Sequence, residues 1–489
     1  MAQLKGEGQA RHSTGAQAPG TTSGHTMTLR IVIPVLNEGA SLAQRLHALR
    51  PLRERGAEVV VVDSGSTDST WAVAMAFADR VLLAPRGRGL QMNAGARGST
   101  ADVLLFLHAD TSLPQDADHL IAAAMQQGYR WGRFNVRIAG AHPMLRVVAG
   151  MMNLRSRVTG IATGDQAIFV TRELFETLRG FAPIPLMEDV ELSTRLRRLS
   201  APACLRGQVT TSGRRWETHG LWRTIALMWR LRGAYFFGAS PQALARRYGY
   251  AESPSQPPAF VVAVMARAPV AGQAKTRLAP LLGAAGAARA QRRFTRNALA
   301  TARAAVGAAV APVAQALQQA APDAPTLWCA PDTSHVFFRA LERHGMAVCR
   351  PQADGDLGAR MLQVMTTHLA QQPEFPVLLI GTDCPLLAPA HLHAAALALR
   401  EHDVVMIPAE DGGYALIGMR RAVPEAFEGI AWSTPQVLAQ TRDRLRAAGA
   451  SWHELPALWD VDEPADWERL QALYGLQSAS PPSPATQHD

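Results

Sequence analysis

Two stretches near the start decide the fold: IVIPVLNE at residues 31–38 and VVVVDSGSTD at residues 59–68. Each begins with an apolar run and ends in a cluster of polar and small residues. Such short Val- and Ile-rich runs are typical of strands buried on both faces of a parallel sheet. The residues that follow them then lie beyond the carboxyl ends of the strands, where α/β sheets bind their ligands.

The same pattern recurs along the chain. Predicted strands lie at 31–35, 58–62, 80–83, 103–107, 260–265, 326–330, 377–380 and 404–407. Longer Ala- and Leu-rich helical patterns separate them, which predicts an α/β class with mostly parallel sheets. The predicted organisation is a disordered tail at 1–28, a domain at 29–250, a Pro- and Ser-rich linker at 251–258, a second domain at 259–475 and a disordered tail at 476–489. Met27 directly precedes the first strand and is a second candidate translation start.

Composition excludes several classes of protein. The chain has 489 residues, of which 48% are hydrophobic, so it is neither disordered throughout nor collagen-like. Its four cysteines are scattered without a C-x-x-C pair, which argues against a disulfide framework and a structural zinc site. We therefore expect reduced thiols and a cytoplasmic location. No apolar run is long enough to require a membrane span.

Charge is unevenly distributed. Residues 1–250 hold 30 Lys and Arg against 18 Asp and Glu, whereas residues 251–489 hold 19 against 22. This asymmetry predicts that the first half meets an anionic partner: a nucleotide, a lipid surface or a phosphorylated substrate. Nucleic acid is not expected, because no basic cluster is interleaved with stacking aromatic residues.

Polar clusters follow three strands of the first half, and parallel strands bring such clusters to one crevice. They comprise Pro34, Asn37, Glu38, Asp63, Ser64, His108 and Asp110. Carboxylates there can accept hydrogen bonds from a base or ribose, or hold a divalent metal against a diphosphate. Taken singly, the cluster around Asp63 is equally well explained as a turn with a helix cap.

In order and spacing, IPVLNE, VVDSGSTDST and FLHADT resemble the start of a glycosyltransferase family 2 domain with the GT-A fold. The resemblance implies a nucleotide-diphospho-sugar donor and a metal-binding Asp-X-Asp motif. Here that motif reads His108-Ala109-Asp110, so Asp110 is the expected ligand of Mg²⁺ or Mn²⁺. His108 either joins it as a ligand or supports it from behind.

Later motifs extend the predicted donor site. RGRGLQMNAGA at 86–96 is similar to the subgroup called rSAM/selenodomain-associated transferases, type 2. Arg86 and Arg88 suit a diphosphate, and Asn93 is expected beside it. The family likeness also places Arg215 and Trp216 near the diphosphate.

The sequence MEDVE at 187–191 is the predicted catalytic element. In the family, an acidic pair at this point supplies the general base. We therefore expect Asp189 to remove the proton of the acceptor hydroxyl, with Glu188 beside it. Helix capping is the alternative for both acids. Asp165 and Gln166 are expected to line the acceptor side.

Residues 221–237 combine Trp and Phe with Arg223, Arg230 and Arg232. This pattern fits a core helix, a partner surface or an amphipathic helix on anionic lipid. A lipid acceptor and a peripheral place on the inner face of the cell membrane would follow from the third possibility; a small-molecule acceptor fits the others.

The second half resembles the rSAM/selenodomain-associated transferase type 1 family, which is GT-A-like, and also nucleotidyltransferases. The motifs that carry this likeness are AKTRL at 274–278, GTDCPLL at 381–387 and AEDGGYALIG at 409–418. By analogy Asp383 and Asp462 would hold a metal. The other expected site residues are Arg267, Lys275, Arg277, Asp356, Glu410, Asp411 and Gly412.

Together these features predict two GT-A-like, Rossmann-like domains in one bifunctional transferase. The first would transfer a glycosyl group, and the second would act as a nucleotidyl- or glycosyltransferase-like module of the same pathway. The rival hypothesis is that one or both are non-catalytic nucleotide-binding or regulatory modules. The donor sugar, and whether transfer retains or inverts configuration, stay open.

Overall fold

A computed structural model describes residues 27–214, 220–248, 257–317 and 324–475. It confirms the predicted α/β class, with two mostly parallel sheets covered by helices. Nearly all of the predicted tails and linker lie outside the described residues, as do Arg215 and Trp216. Within the described ranges, no helix is long and apolar enough to cross a membrane.

The first half forms an eight-stranded sheet with the order β3-β2-β1-β4-β7-β6-β8-β5. Its strands are β1 (Leu29–Val35), β2 (Glu58–Asp63), β3 (Arg80–Leu83), β4 (Val103–Phe106), β5 (Thr111–Ser112), β6 (Trp131–Ala139), β7 (Ile168–Thr171) and β8 (Ala203–Ser212). The four strands β3, β2, β1 and β4 pair in parallel, and β7 is antiparallel to both β4 and β6. The carboxyl ends of β1, β2 and β4 therefore share one edge.

The helices of the first half lie on both sides of that sheet. They are α1 (Gly39–Ala48), α2 (Arg50–Glu54), α3 (Thr70–Phe77), α4 (Arg88–Ala96), α5 (Ala117–Gln126), α6 (Met144–Thr159), α7 (Arg172–Thr177), α8 (Glu188–Leu199), α9 (Leu221–Phe236) and α10 (Pro241–Tyr248). Gly95 shows how closely α4 packs on the strands. A Cβ at Gly95 would lie 2.3 Å from a methyl group of Val32 and 2.9 Å from one of Val62, so only glycine fits there.

The second half repeats this arrangement in a seven-stranded sheet with the order β11-β10-β9-β12-β14-β13-β15. Its strands are β9 (Val261–Arg267), β10 (Thr326–Ala330), β11 (Val348–Pro351), β12 (Val377–Ile380), β13 (Val404–Pro408), β14 (Tyr414–Met419) and β15 (Trp452–Glu454). Its helices are α11 (Ala279–Leu317), α12 (Val336–Arg343), α13 (Leu357–Gln371), α14 (Pro389–Ala398), α15 (Val437–Ala447) and α16 (Pro464–Leu473). As in the first sheet, four parallel strands are followed by one antiparallel strand, here β14.

The two halves pack against each other through α3. The Trp71 indole N–H donates a buried 3.0 Å hydrogen bond to the Thr301 hydroxyl of α11. At the end of the same helix, the rings of Phe77 and Tyr474 meet edge to face at 5.4 Å. One apolar cluster thus includes buried residues from both halves, such as Phe294 beside those under α3.

Candidate functional site

The turns after β1 and β2 are bonded to each other. The Asn37 amide donates to the Ser66 hydroxyl at 2.9 Å, and the Asn37 side-chain oxygen accepts from the Thr67 amide at 2.9 Å. Asn37 has a positive φ of 53°, which Asn tolerates better than most residues. The Gly39 amide donates to the Asp68 carboxylate at 3.0 Å. Polar residues of both turns therefore form one hydrogen-bonded surface at the edge of the sheet, which we call the floor.

Asp63 organises this floor from behind. One carboxylate oxygen, Oδ1, accepts from the Gly65 and Ser66 amides at 2.6 and 2.7 Å. The other, Oδ2, is buried and makes no hydrogen bond within the described residues. Burial raises the pKa of the Asp63 carboxyl above its ordinary value, although the backbone amides oppose the shift. Asp63 thus stabilises the turn through Oδ1, while Oδ2 stays without a hydrogen-bond donor in the described part of the chain.

A cavity of 620 Å³ opens above the floor. Its lining combines predicted site residues with a helix from the end of the first half: Pro34, Val35, Leu36, Glu38, Ser64, Arg86, Gly87, Arg88, Gln91, His108, Ala109, Asp110, Pro185, Gln242, Ala245 and Arg246. We call it the donor chamber. Arg86 from the loop before α4 and Arg88 at the start of α4 line it together with Asp110, a combination that suits an anionic ligand with a metal.

A second cavity of 580 Å³ adjoins the donor chamber and shares Arg88, His108 and Asp110 with it. We call it the acceptor chamber. The predicted catalytic pair Glu188 and Asp189 lines this second cavity. The shared residues mark the passage between the chambers, so a group bound at that passage faces the carboxylates.

Glu188 and Asp189 begin α8, and they are held differently. The Asp189 carboxylate accepts from the Gly164 amide at 2.8 Å and from the Val190 amide at 2.7 Å. These bonds fix the carboxylate at the chamber wall. Glu188 is buried, and burial with the neighbouring Asp189 charge raises its pKa to about 7. The Arg88 guanidinium opposes that shift.

His108 is held between two parts of the turn Gly164–Gln166. Its Nδ1 lies 3.4 Å from a carboxylate oxygen of Asp165. A Cβ on Gly164 would lie 2.1 Å from the imidazole Nε2, so the ring packs directly on that glycine. This geometry favours a supporting role for His108. Asp110 is then the candidate protein ligand of a divalent metal.

The oxygen ligand available at this site is of the kind that Mg²⁺ or Mn²⁺ binds. Mg²⁺ commonly takes one or two carboxylates and completes its shell with substrate phosphates and water. Asp110 lines both chambers and supplies such a carboxylate. Among the residues that the structure describes, no group of three or more His, Cys, Asp or Glu could hold a metal alone. A bound diphosphate would therefore have to provide the remaining ligands.

Two predicted site residues serve the protein scaffold. Asn93 exchanges two 2.9 Å hydrogen bonds with the Phe181 backbone and does not line either chamber. Gln166 is buried and caps its own turn through the Thr163 amide. Asp165, in contrast, does line the acceptor chamber. Both scaffold residues lie next to chamber-lining ones, which is why motif spacing alone could not separate them.

The chamber residues that sequence reasoning missed include three polar ones on helices. Gln242 and Arg246 reach the donor chamber from α10, and Arg155 reaches the acceptor chamber from α6. The Arg pair at 246–247 was a visible basic signal, but its distance from the strand-end motifs hid its role. Arg155 carried no signal, since it stands among other arginines and apolar residues of its helix.

In the second half, the ammonium group of Lys275 lies between the carboxylates of Asp383 and Asp462, the two residues that were expected to hold a metal. The Lys275 ammonium lies 2.8 Å from Asp383 Oδ2 and 2.7 Å from Asp462 Oδ1. It also donates to the Val461 carbonyl at 2.7 Å. All three N–H groups then have an acceptor, and the two carboxylates raise the pKa of Lys275 against the effect of burial. The residues present do not fit a metal shared by Asp383 and Asp462.

The other predicted residues of the second half are spread around this trio. Arg277 reaches Asp462 at 3.3 Å. Asp356 caps α13 by accepting from the Ala359 amide at 2.8 Å, and Glu410 pairs with Arg469 at 2.7 Å. The remaining positions are Asp411, whose carboxylate accepts from the Gly413 amide, Gly412, which has a positive φ, and Arg267, at the end of β9.

Comparisons with known proteins agree with the first resemblance. Residues 30–148 match the family model described as "Glycosyl transferase family 2", which confirms that likeness. Residues 313–434 match a model described as "Uncharacterized protein conserved in bacteria (DUF2064)". The first match covers the two strand-end turns and Asp110, and it ends before Glu188.

Similar proteins include uncharacterized glycosyltransferases of Mycobacterium bovis and Mycobacterium tuberculosis. Each is 32% identical over 99 residues, which is 20% of this chain and 44% of the relative. The chain thus spans less than half the length of the curated relatives it matches. A solved structure from Desulfovibrio desulfuricans, described as a candidate nucleotide-diphospho-sugar transferase, is 25% identical and has a TM-score of 0.34, covering 44% of this chain and 93% of its own.

Proposed function

We propose that the first half is a glycosyltransferase that uses a nucleotide-diphospho-sugar donor. The observation that carries this proposal is the junction of two chambers at Arg88, His108 and Asp110. A nucleotide diphosphate in the donor chamber would place its sugar at that junction. Asp189 would then face the sugar from the acceptor side.

The chain's own residues suggest how transfer would proceed. Asp189, anchored by two backbone amides, would take the proton of the acceptor hydroxyl. The hydroxyl oxygen then bonds to the anomeric carbon as the bond from that carbon to the diphosphate oxygen breaks. Arg86 and Arg88 would meet the charge on the departing nucleoside diphosphate. A divalent cation held by Asp110 would add to that charge stabilisation.

For the second half we propose nucleotide binding, in a nucleotidyl- or glycosyltransferase-like module of the same pathway. This proposal is supported by the strand order that the two sheets share and by the basic loop that follows β9. Lys275 is occupied by two carboxylates, whereas Arg277 is largely exposed and can meet phosphates. No metal is assigned to this half.

We also propose a peripheral location on the inner face of the cell membrane. Trp222 and Trp229 of α9 are 70% and 67% exposed, and Arg223 and Arg230 are exposed on the same helix. An apolar and basic surface of this kind suits anionic lipid headgroups.

A calorimetric titration of the whole protein tests both nucleotide sites. Uridine diphosphate and its sugar conjugates would be titrated with and without Mn²⁺. Asp110→Ala should abolish the metal-dependent binding in the first half. Arg277→Gln should weaken only the metal-independent binding, which we assign to the second half. Asp116→Ala removes an exposed carboxylate six residues away and is the matched control.

Unchanged metal-dependent affinity in Asp110→Ala would show that the donor chamber is misassigned. Tight binding without turnover of any nucleotide-sugar, including hydrolysis, would favour the rival hypothesis of a nucleotide-sensing module.

A further inference from the structure

Two helices give the acceptor chamber an apolar side. Helices α6 and α9 contribute Val148, Met151, Met152, Ile225 and Met228 to its lining. The hydroxyl groups of a sugar would find no hydrogen-bond partners among these five side chains. This part of the lining therefore favours an acceptor with a hydrocarbon portion.

Three arginines line the chamber: Arg88, Arg155 and Arg232. Arg155 on α6 lines the chamber, and its Nε and Nη2 atoms are buried without a hydrogen bond among the described residues. Unpaired buried guanidinium nitrogens are costly, so an arginine in this state is poised for an anionic ligand. The Asp165 and Asp189 charges act on Arg155 from the polar end of the chamber, so the anion would lie near the predicted base.

The mouth of the chamber lies between two exposed apolar stripes. On α6, Val147, Met151, Leu154 and Val158 are 49%, 54%, 63% and 77% exposed, at a spacing that puts them on one helix face. On α9, Trp222, Trp229 and Phe236 form a second stripe at helical spacing. Met151 and Trp229 belong to both a stripe and the chamber wall, so the chamber is continuous with the apolar surface.

Charge on these two helices is of one sign. Exposed arginines flank the stripes at positions 146, 157, 223 and 230, and neither α6 nor α9 contains an Asp or Glu. An apolar face bordered by arginine is complementary to a bilayer that contains anionic lipid. A soluble apolar partner protein would have no need of this ring of positive charge.

We propose that the acceptor is an anionic amphiphile taken from a membrane, with its phosphate or carboxylate group on Arg155 and its hydrocarbon chain between α6 and α9. This inference rests on the proposed function, because that function identifies the chamber beside Asp189 as the acceptor side. A hydroxyl of the amphiphile loses its proton to Asp189 and bonds to the anomeric carbon, and the nucleoside diphosphate leaves with the electron pair of the broken bond.

Alkyl phosphates of four, six and eight carbons, titrated into the whole protein below their micelle concentration, test the inference. Affinity should rise about threefold to fourfold with each added methylene group, since each is buried in the chamber. Inorganic phosphate tests the anion without a chain, and octanol tests the chain without an anion. Both should bind at least about tenfold more weakly than octyl phosphate.

Arg155→Gln should weaken octyl phosphate binding about tenfold or more and leave octanol binding unchanged. Arg155→Lys keeps the charge and should recover part of the loss, which a merely structural arginine would not explain. Arg198→Gln, on the exposed face of α8, is the charge-matched control. Uridine diphosphate binding with Mn²⁺ should be the same in all three variants.

Chain-length independence, or equal affinity of Arg155→Gln for octyl phosphate, would overturn the inference. Inorganic phosphate binding as tightly as octyl phosphate would reassign the chamber to a soluble phosphate compound. Failure of the proposed function is distinguishable, because it would appear as lost nucleotide binding in the unmodified protein, whatever the alkyl phosphates do.

Discussion

At the scale of residues, Asp189 owes its position to two backbone amides rather than to a neighbouring side chain. Asp189→Asn retains one oxygen acceptor and nearly the same shape, but it removes the proton acceptor. We expect turnover to fall about 10²–10⁴-fold with donor affinity nearly unchanged. Steady-state kinetics with calorimetry of donor binding would measure both quantities.

Glu191→Gln is the control for Asp189→Asn, because Glu191 lies on the same helix and pairs with Arg195 at 2.6 Å. Its turnover should stay near that of the unmodified protein. Near-normal turnover of Asp189→Asn would instead transfer the role of base to Glu188 or to a residue outside the pair.

Glu188 should make stability depend on pH. Its pKa is raised from 4.5 to about 7 in the folded protein, so the folded state binds this proton more tightly than the unfolded chain does. The free energy of unfolding should therefore fall as pH rises from about 4.5 to about 7, and this contribution is constant above that range. Urea unfolding of the protein and of Glu188→Gln at pH 5 and pH 8 would measure it.

The Gln variant cannot titrate, so it should lose less stability over this interval than the unmodified protein. Glu173→Gln, which removes an exposed carboxylate, is the control. Parallel pH profiles of the protein and Glu188→Gln would show that Glu188 is already ionised at pH 5.

The residue scale also shows where motif reading reaches its limit. Asp110 and Arg88 could be proposed because each lies shortly after a predicted strand, and Asp189 because MEDVE resembles the acidic pair of a known family. The ammonium of Lys275 between Asp383 and Asp462 could not, since sequence does not reveal which of several charges at one strand edge pair with each other. Only the structure shows that the Lys275 ammonium pairs with both carboxylates.

At the scale of elements, all eight predicted strands are present, with ends shifted by no more than two residues. Apart from β3, their apolar runs are largely buried, so composition alone identifies them. Of the seven strands in the described residues that were not predicted, β6 and β8 are the longest. Their outer portions alternate buried with exposed positions and carry Arg, Thr and Gln, because they lie toward the edge of the sheet, where one face is only partly covered.

The exposure of α9 predicts salt-dependent attachment to membranes. The protein should co-sediment with vesicles containing anionic lipid at low salt and be released at high salt, because exposed charges are screened over about 8 Å at physiological ionic strength. Trp229→Ser should weaken attachment through lost burial at the headgroup level. Val336→Ser, which removes a 65% exposed apolar side chain from the second half, is the control.

Equal recovery with neutral and anionic vesicles at both salt concentrations would contradict this prediction. The sequence left α9 open between a core helix, a partner surface and an amphipathic helix on lipid, because its aromatic and arginine residues suit all three. The exposure of Trp222 and Trp229 argues against a core helix. Exposure also reveals the apolar stripe on α6, whose residues could not be distinguished from core positions by their period alone.

At the scale of the whole molecule, the two halves share a topology but differ in what occupies their strand ends. The first has open chambers beside Asp110. In the second, the Lys275 ammonium pairs with the carboxylates of Asp383 and Asp462. The four parallel strands of the first half were predicted from their apolar runs, as were three of the four in the second half, where β11 was missed. The packing of the two halves against each other could not be predicted. The residues responsible, such as Trp71, lie on helices whose apolar residues could equally well be buried within a single domain.

Trp71 should couple the stability of the two halves. It is only 2% exposed, it lies on α3 directly after the turn that supports the donor chamber, and it donates to Thr301 of the other half. Trp71→Ala leaves a cavity at this contact and should cost about 3–5 kcal/mol. Thr301→Val leaves the buried indole N–H unpaired and should cost about 1–3 kcal/mol.

Because both variants break one contact, their effects should not add: the double variant should be more stable than the sum of the two losses predicts. Calorimetry provides the second readout. The unmodified protein should unfold in one cooperative transition, whereas Trp71→Ala should separate it into two because the contact between α3 and α11 is lost. Val364→Ala, a buried change on α13 in an apolar cluster without residues of α3, is the control for general destabilisation. Two transitions in the unmodified protein would mean that the contact through α3 joins the halves without making them one folding unit.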